Sequence, residues 1–403
     1  MSSLGPRSSA PAQPAATPRG ASLSPYAEPV ALRVLFPYPC DDWGIGWCVM
    51  SMCDRFHSEV FQAEYWAPSV APGHLRSYHR VPLPSLFSRG FFRLGLPEYG
   101  LRRHVESRFL ANTKPGDVAF LWPGVSLHVF ERLHERGVRI VLERVNSHRA
   151  NSLKVLDRAY KRLGLEPSHG IRRSQVSEET RKLALADRVF CCSPYVHASL
   201  RDARVPEEKL LHTSYGWDPR AFRIEPQPRS GRPVFLSVAN GSVRKGTAEL
   251  LEAWCAASPN ATLRLVGPIE PALAKRYRAE LSRPDVEVWG YQDDLAKVYA
   301  GADVFVLASH EEGSPLVTYL AQAAGLPTLV SDAGAGGIVD DGVHGFVREP
   351  YDHDGWVEAL LTLSADSGLR AQMREASLER AQEYTWDKVA ARRQEQLEGF
   401  IQG

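Results

Sequence analysis

Short, continuous apolar runs rich in β-branched residues recur along this chain, each separated from the next by a stretch of helical periodicity. In the first half they cover 32–36, 60–65, 118–122, 138–142, 189–192 and 210–214. In the second half they cover 234–238, 262–266, 286–289, 304–308, 328–331 and 345–347. A strand that is apolar throughout has to be covered on both faces, so these runs with helices between them imply parallel sheets clothed on both sides. Two successive sets imply an α/β chain of two doubly wound, Rossmann-like domains. The Pro, Gly and Arg-rich stretch 225–233 reads as the linker between a first domain over 31–224 and a second over 234–384. The pattern over 385–403 predicts a helix long enough to leave the second domain and cross back to the first. In sheets of this kind ligands sit beyond the carboxyl ends of the strands, here in the cleft between the domains.

Composition narrows the partners. A length of 403 residues suits two domains, and 44% hydrophobic and 24% charged residues are globular values. A net charge of +1 gives no reason to expect nucleic acid. No apolar run approaches the roughly 18 residues of a spanning helix. Residues 1–30, with Pro6, Pro11, Pro14 and Pro18, lack an apolar signal core and read as a disordered tail. The six cysteines form no disulfide framework, and Cys40, Cys48, Cys53 and His57 match no compact zinc spacing. No metal site is expected, and a cytoplasmic location follows, with a peripheral position on the inner face of the membrane as a further expectation.

The segment 303–330 carries the most chemistry. An apolar run ends in the elbow His310-Glu-Glu-Gly-Ser-Pro315, a helix signal follows at once, and Gly325-Leu-Pro327 stops it. Ser314 reads as the N-cap and Pro315 as the first helical residue. The unpaired N–H groups that follow and the positive end of the helix dipole make an anion site. Glu312 stands at its lip. An acid beside an anion site suits an uncharged partner, such as a sugar hydroxyl.

With both domains and this segment in hand, the chain resembles glycosyltransferase family 4, whose members have two Rossmann-like domains in the GT-B arrangement. The resemblance covers nearly everything after residue 31. Its marks are the run from Leu183 to Val196, the hinge-like Tyr215-Gly-Trp-Asp-Pro-Arg-Ala-Phe222, the loop from Val238 to Gly246, the segment from Glu312 to Pro327 and the stretch from Asp340 to Phe346. It implies retaining transfer of a hexosyl unit from a UDP- or GDP-linked sugar to a hydroxyl acceptor, without a bound metal or other cofactor, in surface polysaccharide or glycoconjugate synthesis. Carried over residue by residue, it places Lys245 and Arg244 on the donor phosphates and Glu312 on the donor sugar. Asn240, Gly241, Tyr291, Gln292, Gly313, Ser314, Pro315, Leu316, Val317 and Leu320 complete the donor site. This agrees with the chemistry of a leaving nucleoside diphosphate, whose growing charge must be offset by fixed cations or dipoles. The sequence departs from the family at two positions: Leu320 stands where a second glutamate would hold the ribose, and Asn240 where an arginine would meet the phosphate.

In the first domain, Gly44, Ile45 and Gly46 resemble the glycine loop that approaches the donor phosphate and acceptor. His148 stands where the family's active-site histidine follows a strand, a residue type suited to proton handling in clefts. Arginines at 76, 80, 89, 93, 102, 103 and 108 face only Glu98 and Glu106, with Phe87, Phe91 and Phe92 among them. That mixture makes Arg76, Arg80, Arg89, Phe91, Phe92 and Arg93 candidates for contact with an acceptor (a saccharide, lipid-linked glycan or small molecule) or a membrane surface. Ala333-Gly-Ala-Gly-Gly-Ile338 lacks the acidic partner of a dinucleotide loop, which disfavours a nicotinamide enzyme. A second reading, favoured by Leu320 and Asn240, is a catalytically impaired member of the fold serving as a nucleotide-sugar-binding or scaffold subunit.

Overall fold

The computed structural model describes residues 28–40, 44–71, 73–82, 98–224 and 231–403. It contains two sheets whose paired strands are all parallel. The first sheet comprises β1 (Val30–Leu35), β2 (Phe61–Trp66), β3 (His79–Arg80), β4 (Val118–Leu121), β5 (Arg139–Arg144), β6 (Arg188–Cys191) and β7 (Leu210–His212). Its spatial order is β3-β2-β1-β4-β5-β6-β7. The second comprises β8 (Val234–Val238), β9 (Thr262–Val266), β10 (Val286–Trp289), β11 (Val304–Leu307), β12 (Thr328–Val330) and β13 (Gly345–Val347), ordered β10-β9-β8-β11-β12-β13. Every apolar run read from the sequence became a strand. The exception to the pattern is β3, two polar residues that pair with Tyr65 and Trp66.

Strand order explains where ligands can sit. Each sheet starts in its middle, grows outward one way, then returns and grows the other way, so its order reverses between β1 and β4 and between β8 and β11. At such a point the loops leaving adjacent strands diverge to opposite faces and open a crevice at the carboxyl ends. The loop after β8 carries Asn240 to Gly246, and the loop after β11 carries Ser309 to Pro315. The buried faces are those of doubly covered strands: Val118, Ala119, Phe120 and Leu121 are fully buried, as are Val304, Phe305 and Val306.

The chain closes on itself at a second crossing. Trp217 donates its N–H to Tyr384 O at 3.0 Å, and Trp386 returns one to Trp217 O at 3.0 Å. A Cβ on Gly216 would stand 2.7 Å from Tyr384 O, so the two strands of chain meet too closely there for a larger residue. The helix Trp386–Gln402 then lies on the first domain. Its Arg393 forms a two-pronged pair with Glu143 at the end of β5, at 2.7 and 3.1 Å, both side chains being fully buried. Tyr215 adds a hydroxyl to the same carboxylate at 3.1 Å. Among the described residues no helix is long and apolar enough to cross a membrane.

Candidate functional site

The loop after β8 and the elbow after β11 meet because backbone approaches backbone. Gly246 has φ of +65° and a Cβ there would fall 1.9 Å from Ala308 O, so only glycine lets the end of the first loop rest on the end of β11. His310 N–H donates to Arg244 O at 2.9 Å and fixes the register of the two loops. This contact delivers the Lys245 ammonium to the Glu312 carboxylate, with which it forms a direct ion pair. Ser309 donates to the same oxygen at 2.9 Å, and Arg244 Nη2 stands 3.6 Å from the other. Burial alone would raise the Glu312 pKa. The Lys245 and Arg244 charges outweigh it, and the carboxyl is held below its usual value. Glu312 is therefore an ionised acid, 5% exposed, aimed at the crevice end of β8 and β11.

Its neighbour faces the other domain. Glu311 accepts from Ser147 Oγ at 2.9 Å, from Ser147 N at 3.2 Å and from Ser152 Oγ at 3.2 Å, all beyond β5 of the first domain. Arg244 Nε holds the second Glu311 oxygen at 2.8 Å. The elbow itself abuts the first domain: a Cβ on Gly313 would fall 1.6 Å from Val145 O, and the Ser193 hydroxyl donates to Gly313 O. Burial lowers the Arg244 pKa, yet Glu312 and Glu311 more than offset that, so the guanidinium stays charged. Ser193 falls in the run from Leu183 to Val196 that marks the resemblance, whereas Ser147, Ser152 and Asn146, which accepts from Arg244 Nη2 at 3.4 Å, had no role assigned from the sequence. Lone serines and asparagines carry no periodic signal.

The helix after the elbow begins one residue later than its sequence indicates. It spans Leu316–Ala323 with Pro315 as N-cap, in extended backbone (ψ 114°). Ser314 does not cap it. Its hydroxyl bonds the Tyr319 hydroxyl at 2.6 Å, and Tyr319 in turn accepts from Tyr215 N at 3.2 Å. The first helical N–H groups, at Leu316 and Val317, have no carbonyl upstream within the helix. Neither neighbour of Leu320 replaces the missing acid: Tyr319 is buried against Ser314, and Gln322 is fully buried with neither polar atom bonded. Leu320 and Leu316, one turn apart, instead line a cavity of about 480 Å³ with Trp47, Trp217, Leu295 and Trp386. Asn240 is exposed just past β8, while Gly241 is tied to the next loop through Pro268 O at 2.8 Å. Tyr291 and Gln292 follow β10, with Tyr291 80% exposed.

In the first domain two expectations change. Gly44, Ile45 and Gly46 do not form a loop. They are the first turn of the helix Gly44–Cys53, which Gly44 enters with φ of +62°. His148 lies beyond β5 as the sequence suggests, but it is the N-cap of the helix Arg149–Arg162, its Nδ1 accepting from Ala150 N at 3.2 Å. It is 3% exposed, its Nε2 has no hydrogen-bond partner, and Glu179 Oε2 is 3.5 Å away. Burial lowers its pKa, more than Glu179 raises it, so the ring is neutral at pH 7. His148 and Glu312 do not touch; Ser147 and Glu311, one residue before each, join their segments. Arg76 is exposed and bonded to Gly73 O and Leu75 O, and Arg80 pairs with Glu64 at 2.9 Å, so Arg80 is partly committed within its own domain. Arg89, Phe91, Phe92 and Arg93 lie outside the described residues, as does Trp43. A second cavity, of about 230 Å³, opens nearby beyond β4 and β5. Arg102, Arg144, Arg149 and Lys182 line it together with Glu179 and Glu178, the ion-pair partners of Arg144 and Lys182, and with Tyr38 and Trp122.

Residues 232–366 match the family model described as Glycosyl transferases group 1. A D-inositol 3-phosphate glycosyltransferase of Saccharomonospora viridis is 31% identical over 176 residues, 42% of this chain and 40% of that protein. The chain thus spans less than half the length of that curated relative. Among solved structures, a sucrose-phosphate synthase from Thermosynechococcus elongatus superposes with a TM-score of 0.68 at 19% identity, over 93% of this chain and 99% of that one. The Anabaena protein Alr3699/HepE, solved in complex with UDP, gives 0.65 at 15% identity, over 92% of this chain and all of the other. At these identities the likeness carries the fold.

Proposed function

We propose that the chain, whose residues 232–366 match the glycosyl transferases group 1 model and whose fold is GT-B, moves a hexosyl unit from a nucleotide sugar to a hydroxyl acceptor with retention of configuration. The observation that carries this reading is Glu312, buried and ionised between Lys245 and Arg244 at the crevice where β8 meets β11. The acid and the lysine satisfy each other. A bound donor would separate their tasks. Lys245 and the N–H groups of Leu316 and Val317 would hold the diphosphate, and Glu312 would accept hydrogen bonds from the sugar hydroxyls.

As the glycosidic bond breaks, negative charge grows on the diphosphate oxygen, and those fixed groups stabilise it without a metal ion. The same oxygen, on the face that the acceptor approaches, takes the acceptor proton. The unbonded Nε2 of His148 would orient a donor-sugar hydroxyl once Glu311 and Ser147 have closed the cleft. The acceptor would lie in the first domain, in the polar cavity beyond β4 and β5. Its mixed lining of arginine, lysine and glutamate side chains suits the hydroxyls of a polar acceptor, and Tyr38 and Trp122 suit a sugar or polyol face. A role in surface polysaccharide or glycoconjugate synthesis fits this acceptor class, with the protein cytoplasmic or peripheral to the membrane.

The second reading, a nucleotide-sugar-binding subunit without turnover, is favoured by Leu320 itself, an apolar side chain where the resemblance expects a glutamate for the ribose. A thermal-shift panel of UDP-, GDP- and ADP-linked hexoses tests the donor assignment, because a ligand bound only by the folded chain raises its melting temperature by mass action. One base series should shift the transition; no shift with any of them would sink it.

A further inference from the structure

We propose that His197, Glu207 and His212 form a binding site for one transition-metal dication of the zinc class on the outer edge of the first sheet. Three consecutive elements supply one donor each. His197 lies on the helix Pro194–Asp202, Glu207 opens the short turn Glu207–Lys209, and His212 ends β7. The Nε2 of His197 is 2.9 Å from Glu207 Oε1, and the Nε2 of His212 is 3.9 Å from the same oxygen. One potential ligand atom from each residue lies within 4.8 Å of the other two.

Tetrahedral zinc with bonds of about 2.0–2.2 Å holds its ligands roughly 3.3–3.5 Å apart. The two observed separations bracket that value. His197 is nearly buried and serves as the fixed member, while His212 and Glu207 are exposed and free to adjust. The two imidazoles stack with centroids 4.0 Å apart and planes 30° from parallel. Two protonated rings would repel at that distance, so the arrangement suits at least one neutral ring, the form that binds metal.

A simple ion pair explains one histidine on this carboxylate and leaves the second without a task. Two imidazoles and a carboxylate are a borderline-soft donor set, suited to zinc, cobalt or nickel over magnesium or calcium. Three protein ligands leave a fourth position for water. The site is apart from the donor crevice and does not enter the proposed transfer. The helix bearing His197 starts at Ser193, which holds Gly313 O across the cleft, and His212 leads into the hinge at Trp217. A metal here would tie the edge strand β7 to the helix that contacts the second domain.

Equilibrium dialysis of the full chain against zinc, in reducing buffer and with metal analysis, tests the site. The wild type should bind one zinc per chain and melt at a higher temperature with it, whereas magnesium should have no effect. His212→Gln and Glu207→Gln, both at exposed positions, should weaken zinc binding by roughly tenfold or more. Cobalt in its place should give visible d–d bands without a near-ultraviolet thiolate band. Absence of binding at micromolar zinc, undiminished affinity in both variants, or a thiolate band placing the metal on cysteine would each overturn the proposal.

Discussion

Glu311 and Glu312 are adjacent in the chain and serve opposite domains. Glu311 reaches across the cleft to Ser147 and Ser152, while Glu312 stays in its own domain against Lys245 and Ser309. Arg244 touches both carboxylates, at 2.8 and 3.6 Å, and so joins the element that closes the cleft to the element that would hold the donor. Glu311→Ala should separate these tasks. It removes charge-assisted bonds each worth about 1.5–3 kcal/mol, so the urea midpoint should fall while Glu312 and Lys245 keep their pair. An unchanged midpoint would mean that the cleft is held closed by other contacts.

Leu320→Glu should restore a ribose acceptor. The new carboxylate would enter the cavity at Leu316 and Trp47, and a hydrogen bond from a ribose hydroxyl to a charged group should tighten UDP or GDP binding by roughly tenfold. Titration calorimetry checks this. No gain would show that the ribose does not pass over position 320, or that burying the acid costs as much as the bond contributes.

The pH dependence follows from the direction of the Glu312 shift. Its folded-state pKa lies below the ordinary 4.5 because Lys245 and Arg244 outweigh burial. The stability it contributes is thus fully present above that ordinary value and is lost as pH falls through the lower folded one. Wild type and Glu312→Gln should differ in melting temperature by a constant amount from neutral pH down to mild acid. The difference should shrink only in stronger acid. A difference that closes near neutral pH would contradict an ionised Glu312.

What was legible in the sequence follows from which interactions are local. Val304–Leu307 and Val118–Leu121 are apolar on every position, which only a doubly covered parallel strand permits, and both formed as read. His79–Arg80 was not legible, since two polar residues become a strand only because Tyr65 and Trp66 offer an open edge. The helix start at 314–316 was read one residue early because Tyr319, a full turn away, takes the Ser314 hydroxyl that would otherwise cap it. His148 was correctly placed beyond a strand, but nothing local shows that its Nδ1 is occupied by Ala150 N–H. The two-domain closure through Glu311 was not legible at all. A glutamate's address across a cleft depends on which serines the other domain presents, and that is decided by packing, not by periodicity.

The most direct measurement is release of nucleoside diphosphate from UDP- and GDP-linked hexoses by the purified chain, alongside Lys245→Ala and Glu312→Gln. The account predicts release by the wild type with one donor series. It predicts a fall of roughly a hundredfold or more in each variant, the usual cost of removing a group that stabilises transition-state charge, with folding verified by melting. Nucleotide-sugar binding without release by the wild type, or full turnover in either variant, would contradict it.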